Sequence, residues 1–121
     1  PLCTRAGVLI MGQDVLTQLA ATIRERRHSD SARSYTRQLL DGGPERCARK
    51  LGEEAIETVI AGISQDGQAL CREAADLLYH LLVLLEARDV KWDDVLAELA
   101  RRSGVSGLDE KSARGRDGAP A

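Results

Sequence analysis

Acidic residues recur at helical spacing in two stretches of the chain. The first, EAADLLYHLLVLL at 73–85, carries Glu73, Asp76 and His80 at intervals of three and four. On a helix those intervals place two carboxylates and an imidazole on one stripe. Leu77, Leu78, Leu81, Leu82, Val83, Leu84 and Leu85 take almost every other direction, so the helix reads as buried all round. Ionised carboxylates in such surroundings cost on the order of several kcal/mol unless a cation or hydrogen bonds compensate them. The second stretch, RKLGEEAIE at 49–57, sets Lys50, Glu53, Glu54 and Glu57 on one half of a helix. Alone it reads as an ordinary solvated face opposite Leu51, Ala55, Ile56, Val59, Ile60 and Ile63. If the two stretches face each other, Glu54 and Glu57 meet Glu73 and Asp76. Four converging carboxylates repel one another unless metal fills the space between them. An all-oxygen set suits a hard divalent cation, Mg²⁺ first and Mn²⁺ as a substitute. A carboxylate-bridged di-iron site would want Glu-x-x-His pairs, and neither ExxE nor ExxD here ends in His. His80, four residues after Asp76, is a candidate to orient that carboxylate or touch a substrate. The plainer reading is a satisfied histidine on a partly buried stripe.

The elements that must position these groups are helical. From Met11 onward no segment alternates as a strand does, and the chain has no Phe. A first helix is expected over about 13–27, with Val15, Leu16, Leu19, Ala20 and Ile23 on one face and basic residues at its end. After the polar linker HSDSAR, SYTRQLL forms a short helical segment that stops at Asp41-Gly42-Gly43, and Pro44 restarts the chain at a first-turn position. Helices over 44–64 and 68–88 are joined through Asp66-Gly67, and a connection that short makes them antiparallel neighbours. Trp92 to Arg102 form a last amphipathic helix. The expected fold is therefore all-α, an antiparallel helical bundle with one catalytic domain over 11–104. Residues 1–10, upstream of the only Met, read as a non-native or upstream extension, and the Gly/Ser-rich residues 105–121 as a tail. The striped helix needs more cover than three other helices offer, so a homodimer that completes the bundle is expected.

Bulk properties narrow the partners. The 121 residues suffice for one domain with a real core. With 17 basic and 19 acidic side chains the net charge is −2, which creates no field that would attract nucleic acid or a membrane surface. Cys3, Cys47 and Cys71 lie far apart without metal-ligand or disulfide-scaffold spacing. No apolar run is long enough to cross a bilayer. A soluble protein of a reducing cytoplasm is expected.

In combination, these motifs resemble a known family. EExxE, a gap of fifteen residues and then ExxD is the pattern of the all-α nucleoside-triphosphate pyrophosphohydrolases, the superfamily of MazG-like and dimeric dUTPase-like proteins. Within it, SYTRQLLDGG, ARKLGEEAIE, EAADLLYHLLVLL, DDVLAELARR and SGLDEKSARG, from about Ser34 to Arg114, are most similar to the phosphoribosyl-ATP pyrophosphohydrolases of histidine biosynthesis. The resemblance implies metal binding by Glu54, Glu57, Glu73 and Asp76, with Glu53 at the first acidic position of the motif. It implies Mg²⁺-dependent hydrolysis of phosphoribosyl-ATP to phosphoribosyl-AMP and pyrophosphate, and association into dimers. Metal bridging the phosphate oxygens would offset charge on the leaving group. Glu53 and Glu57 are both candidates to position the attacking water. Lys50, then Arg101 or Arg102, then Lys111 and Arg114, are candidates for the phosphate cradle, although each of these arginines and Lys111 also reads as a surface or helix-end charge. Tyr35 and Tyr79 are candidates to stack on a base, and read more simply as packing residues. Two alternatives stand beside this reading. A housecleaning nucleoside-triphosphate pyrophosphohydrolase would have the same acids. A helical interaction module would use them for interhelical salt bridges, but the 73–85 stripe lacks the basic partners such a module needs.

Overall fold

The computed structural model describes residues 15–103. A helix over 15–26, here α1, is followed by α2 (Tyr35–Asp41), α3 (Gly43–Ser64), α4 (Gly67–Ala87) and α5 (Trp92–Arg102). Among the described residues there is no strand. No described helix is long and apolar enough to cross a membrane. The proposed extension at 1–10 and the tail at 105–121 lie outside the described residues.

Polar punctuation explains where the helices begin. Ser34 is extended and its hydroxyl accepts a hydrogen bond from the backbone N–H of Arg37 at 3.1 Å, capping α2. Asp66 does the same for α4, its carboxylate accepting from the N–H of Ala69 at 2.8 Å. Between α2 and α3 the chain turns on Gly42-Gly43. Gly43 has φ +83, a conformation open to glycine, and a Cβ on Gly42 would lie 2.3 Å from Arg46 Cδ. Pro44 follows at the start of α3, where no N–H is needed.

The two-residue connection through Gln65 and Asp66 makes α3 and α4 an antiparallel hairpin, the most extensive helix pairing in the structure. Its open end carries the core. Ile23 of α1, Leu39 of α2, Cys47 of α3 and Leu82 and Val83 of α4 are buried together, with Tyr79, Leu85 and Trp92 packed around them. Burial of each large side chain in this set contributes about 1.5–3 kcal/mol. Arg27, at the end of α1, binds the Glu86 carboxylate at 2.6 Å and that residue's carbonyl, fastening α1 to the end of α4. Cys47 is buried but Cys71 is exposed.

Among the described residues, none covers the loop half of the hairpin in this way. Ile56, Val59, Ile60 and Ile63 form a stripe on α3 at intervals of three, one and three, and Ile63 is 83% exposed. On α4, Leu70, Ala75, Asp76 and Leu78 are exposed. The expectation that α4 is buried on all sides therefore holds only for its C-terminal half, where α1 and α2 reach it. Toward the loop, among the described residues, it packs mainly on α3.

Candidate functional site

The acids lie midway along the hairpin, between the core and the turn. Antiparallel packing sets Glu54 and Glu57 of α3 level with the first part of α4, and one carboxylate oxygen from each of Glu54, Glu57 and Glu73 falls within 4.8 Å of the others. Beneath them Thr58 ties the two backbones together. Its hydroxyl lies 2.7 Å from the Glu54 carbonyl on its own helix and 3.1 Å from the Glu73 carbonyl across the pair. Thr58 was not singled out by its spacing. Its signal is a small hydroxyl residue four positions after Glu54, on the face that must meet α4.

Electrostatics in this cluster are unbalanced. Burial, together with a side-chain contact to Glu57 and the charges of Glu57, Asp76 and Glu73, pushes the Glu54 carboxyl up to about 7. Glu73 is shifted in the same direction, by burial first and then by Glu57 and Asp76. Glu54 Oε2 and Glu73 Oε2 are buried without any hydrogen-bond partner. Two buried carboxylate oxygens without a protein partner, beside a third carboxylate, are a donor set whose chemistry and separation fit a hard divalent ion. The fourth predicted ligand, Asp76, is exposed and lies outside the three-residue cluster, close enough to act on Glu54 and Glu73 through its charge.

The remaining candidates fall in distinct places. Lys50 donates to Glu53 at 2.8 Å, so these two form an ion pair on the outer side of α3. His80 faces Glu54 and also lies within reach of the charge of Asp76. Its Nε2 is 3.8 Å from Glu54 Oε1 on the opposite helix, its Nδ1 is buried without a partner, and burial pulls its pKa down. Tyr79 and Tyr35 meet the imidazole edge-on, with ring centroids at 5.0 and 6.2 Å. Tyr79 packs against the core and its hydroxyl bonds Thr36, whereas Tyr35 is 50% exposed at the rim. Arg101 and Arg102 both bind Glu98 on their own helix. Lys111 and Arg114 lie outside the described residues.

The raised Glu54 carboxyl has a consequence for stability in chelator. The folded protein holds a proton there more tightly than the unfolded chain, so this contribution is complete below the unfolded value of 4.5 and is lost as pH rises through about 7. Glu54→Gln, which cannot ionise, should therefore gain stability over the wild type between pH 5 and pH 8, by roughly 1–3 kcal/mol. Chemical denaturation of both proteins in EDTA at the two pH values measures it. A difference independent of pH would show that Glu54 is not the group being desolvated.

The described residues are helical without a strand, and their antiparallel helix pair gathers three carboxylates, which places the chain in the all-α class. Comparison with known proteins makes the class specific. Residues 16–103 match the family of phosphoribosyl-ATP pyrophosphohydrolase, and the chain belongs to that family. Among its relatives is the phosphoribosyl-ATP pyrophosphatase of Rhodobacter capsulatus, 55% identical over 100 residues that cover 83% of this chain and 97% of that protein. The enzyme of the same name from Nitrobacter winogradskyi is 54% identical over 113 residues, 93% of this chain and 97% of its own. The Ruegeria pomeroyi phosphoribosyl-ATP pyrophosphatase is 56% identical over 100 residues, 83% of this chain and 95% of its own.

Proposed function

We propose that this protein hydrolyses phosphoribosyl-ATP to phosphoribosyl-AMP and pyrophosphate in histidine biosynthesis, with Mg²⁺ as its metal and Mn²⁺ as a substitute. The observation that carries the reading is the convergence of Glu54, Glu57 and Glu73, two of them with buried oxygens that have no partner, in a chain of this family. Those three residues would hold the ion, with Asp76 alongside. When bound, the ion offsets charge on the phosphate oxygens and on the departing pyrophosphate. In the step itself an oxygen–phosphorus bond forms between water and the α-phosphorus, and the bridging bond to the β-phosphate breaks. Glu57 is the exposed member of the cluster and Glu53 lies outside it, which favours Glu57 over Glu53 as the group that orients the water and receives its proton. Glu53 is occupied by Lys50, and a phosphate entering beside α3 would compete for that ammonium. The absence of a long apolar helix among the described residues and the biosynthetic reaction both support a cytoplasmic location. The uncovered stripe Ile56, Val59, Ile60 and Ile63 supports a homodimer.

Pyrophosphate release by the purified protein with Mg²⁺ tests the reaction. Phosphoribosyl-ATP should be turned over with a specificity constant about ten- to a hundredfold above that for ATP, the value of one charge-assisted contact to the second ribose phosphate. Equal turnover of ATP or other nucleoside triphosphates would favour a housecleaning pyrophosphohydrolase. No pyrophosphate from any nucleotide would favour an interaction module.

A further inference from the structure

Packing does not account for the imidazole of His80. The residue is 5% exposed, between Tyr79 and Tyr35, and an apolar ring of the same shape would fill the space without burying Nδ1 unpaired. What the ring offers is its other nitrogen. Nε2 points across the helix pair to Glu54 Oε1, and at 3.8 Å it is one small side-chain adjustment from a hydrogen bond. Its position is held from two sides, because Tyr79 is itself tied to α2 through the Thr36 hydroxyl and Tyr35 closes the rim from the start of the same helix.

We propose that His80 is a positioning residue for Glu54. Nε2–H donates to Oε1 and so fixes the carboxylate with its second oxygen, Oε2, directed to the cation. Oε2 is buried and has no partner in the protein. A donor on one carboxylate oxygen restricts rotation of the ligand and removes part of the cost of ordering it on binding. This assignment rests on the metal reading of the three carboxylates. It separates two helices' tasks: α3 supplies Glu54 as a ligand, and α4, besides Glu73, supplies the group that orients it.

The two amide replacements of histidine distinguish the nitrogens. The Gln amide reaches the place of Nε2, whereas Asn reaches only that of Nδ1. Mn²⁺ binding to the full chain, followed by electron paramagnetic resonance without substrate, should be close to wild type in His80→Gln and weaker by about ten- to a hundredfold in His80→Asn. Thermal melts in EDTA should be alike for the two variants. If His80→Asn fails to fold, His80→Phe supplies a planar apolar ring without either nitrogen, and should show the same weakening. Wild-type affinity in His80→Asn or His80→Phe would overturn the proposal and leave the carboxylate site standing, as would equal losses in the Gln and Asn variants. No Mn²⁺ binding by the wild type would overturn the metal reading itself.

Discussion

Glu73→Gln should lower turnover of phosphoribosyl-ATP by at least about a hundredfold while leaving the helical fold intact. The carboxylate is one of three that converge, and its Oε2 is buried with no protein partner. Among the described residues no ion pair uses its charge, so loss of the charge removes a candidate ligand and no structural ion pair. In chelator the variant should melt higher than the wild type, because burial and the charges of Glu57 and Asp76 all disfavour ionised Glu73. Activity loss joined to a gain in stability of the metal-free protein is a pattern that a structural role would not produce. Steady-state kinetics with Mg²⁺ and a thermal melt in EDTA check the two halves separately. Full Mg²⁺-dependent activity would remove Glu73 from the ligand set. Asp76→Asn should also reduce turnover; its position outside the cluster predicts a smaller effect on Mn²⁺ affinity than that of Glu73→Gln.

Ile60→Glu should disrupt the homodimer proposed above and leave a monomer at micromolar concentration. The residue is 48% exposed in the single chain and sits between Val59 and Ile63 on the uncovered stripe of α3. Covering four such side chains contributes about 1 kcal/mol or more for each, and a carboxylate placed among them costs several kcal/mol, of the order expected for an unpaired buried charge. Sedimentation of the wild type should give twice the 13.1 kDa chain mass, and of the variant the chain mass alone. A wild-type monomer would show that the stripe serves another purpose. Glu54 and Glu57 lie on the same helix as the stripe, so kinetics of the monomeric variant would also show whether the site is complete within one chain.

The helix boundaries were legible because short-range chemistry sets them. Ser34, Gly42-Gly43, Pro44 and Asp66-Gly67 each act within a turn of their own position, and the helices begin and end where they stand. The alignment of Glu54 and Glu57 with Glu73 was legible too, since so short a turn leaves α4 one way to return along α3. Asp76 and His80 show where spacing stops being informative. Spacing along one helix defines an angle about its axis, but it does not define the height at which the neighbouring helix crosses that angle. His80 and Asp76 occupy one stripe, yet the imidazole turned to Glu54 and the carboxylate to solvent. The stripe on α3 shows the same boundary. Periodicity identifies Ile56, Val59, Ile60 and Ile63 as an apolar face, and the same periodicity results whether the cover comes from this chain or another.

Thr58 sets the gauge of the acidic cleft. A single hydroxyl reaches the carbonyls of Glu54 and Glu73 at once, which requires the two helix backbones to run close together at the level of the ligands. A bulkier side chain there would act as a wedge and widen the gap, and a smaller one would let it narrow. Preference for a compact six-coordinate ion over a larger, more loosely coordinated one depends on the spacing of the ligands as well as their number. Ion selectivity would then be tuned at an uncharged position that never touches the ion, and the carboxylates themselves could stay constant while the ion they accept changes.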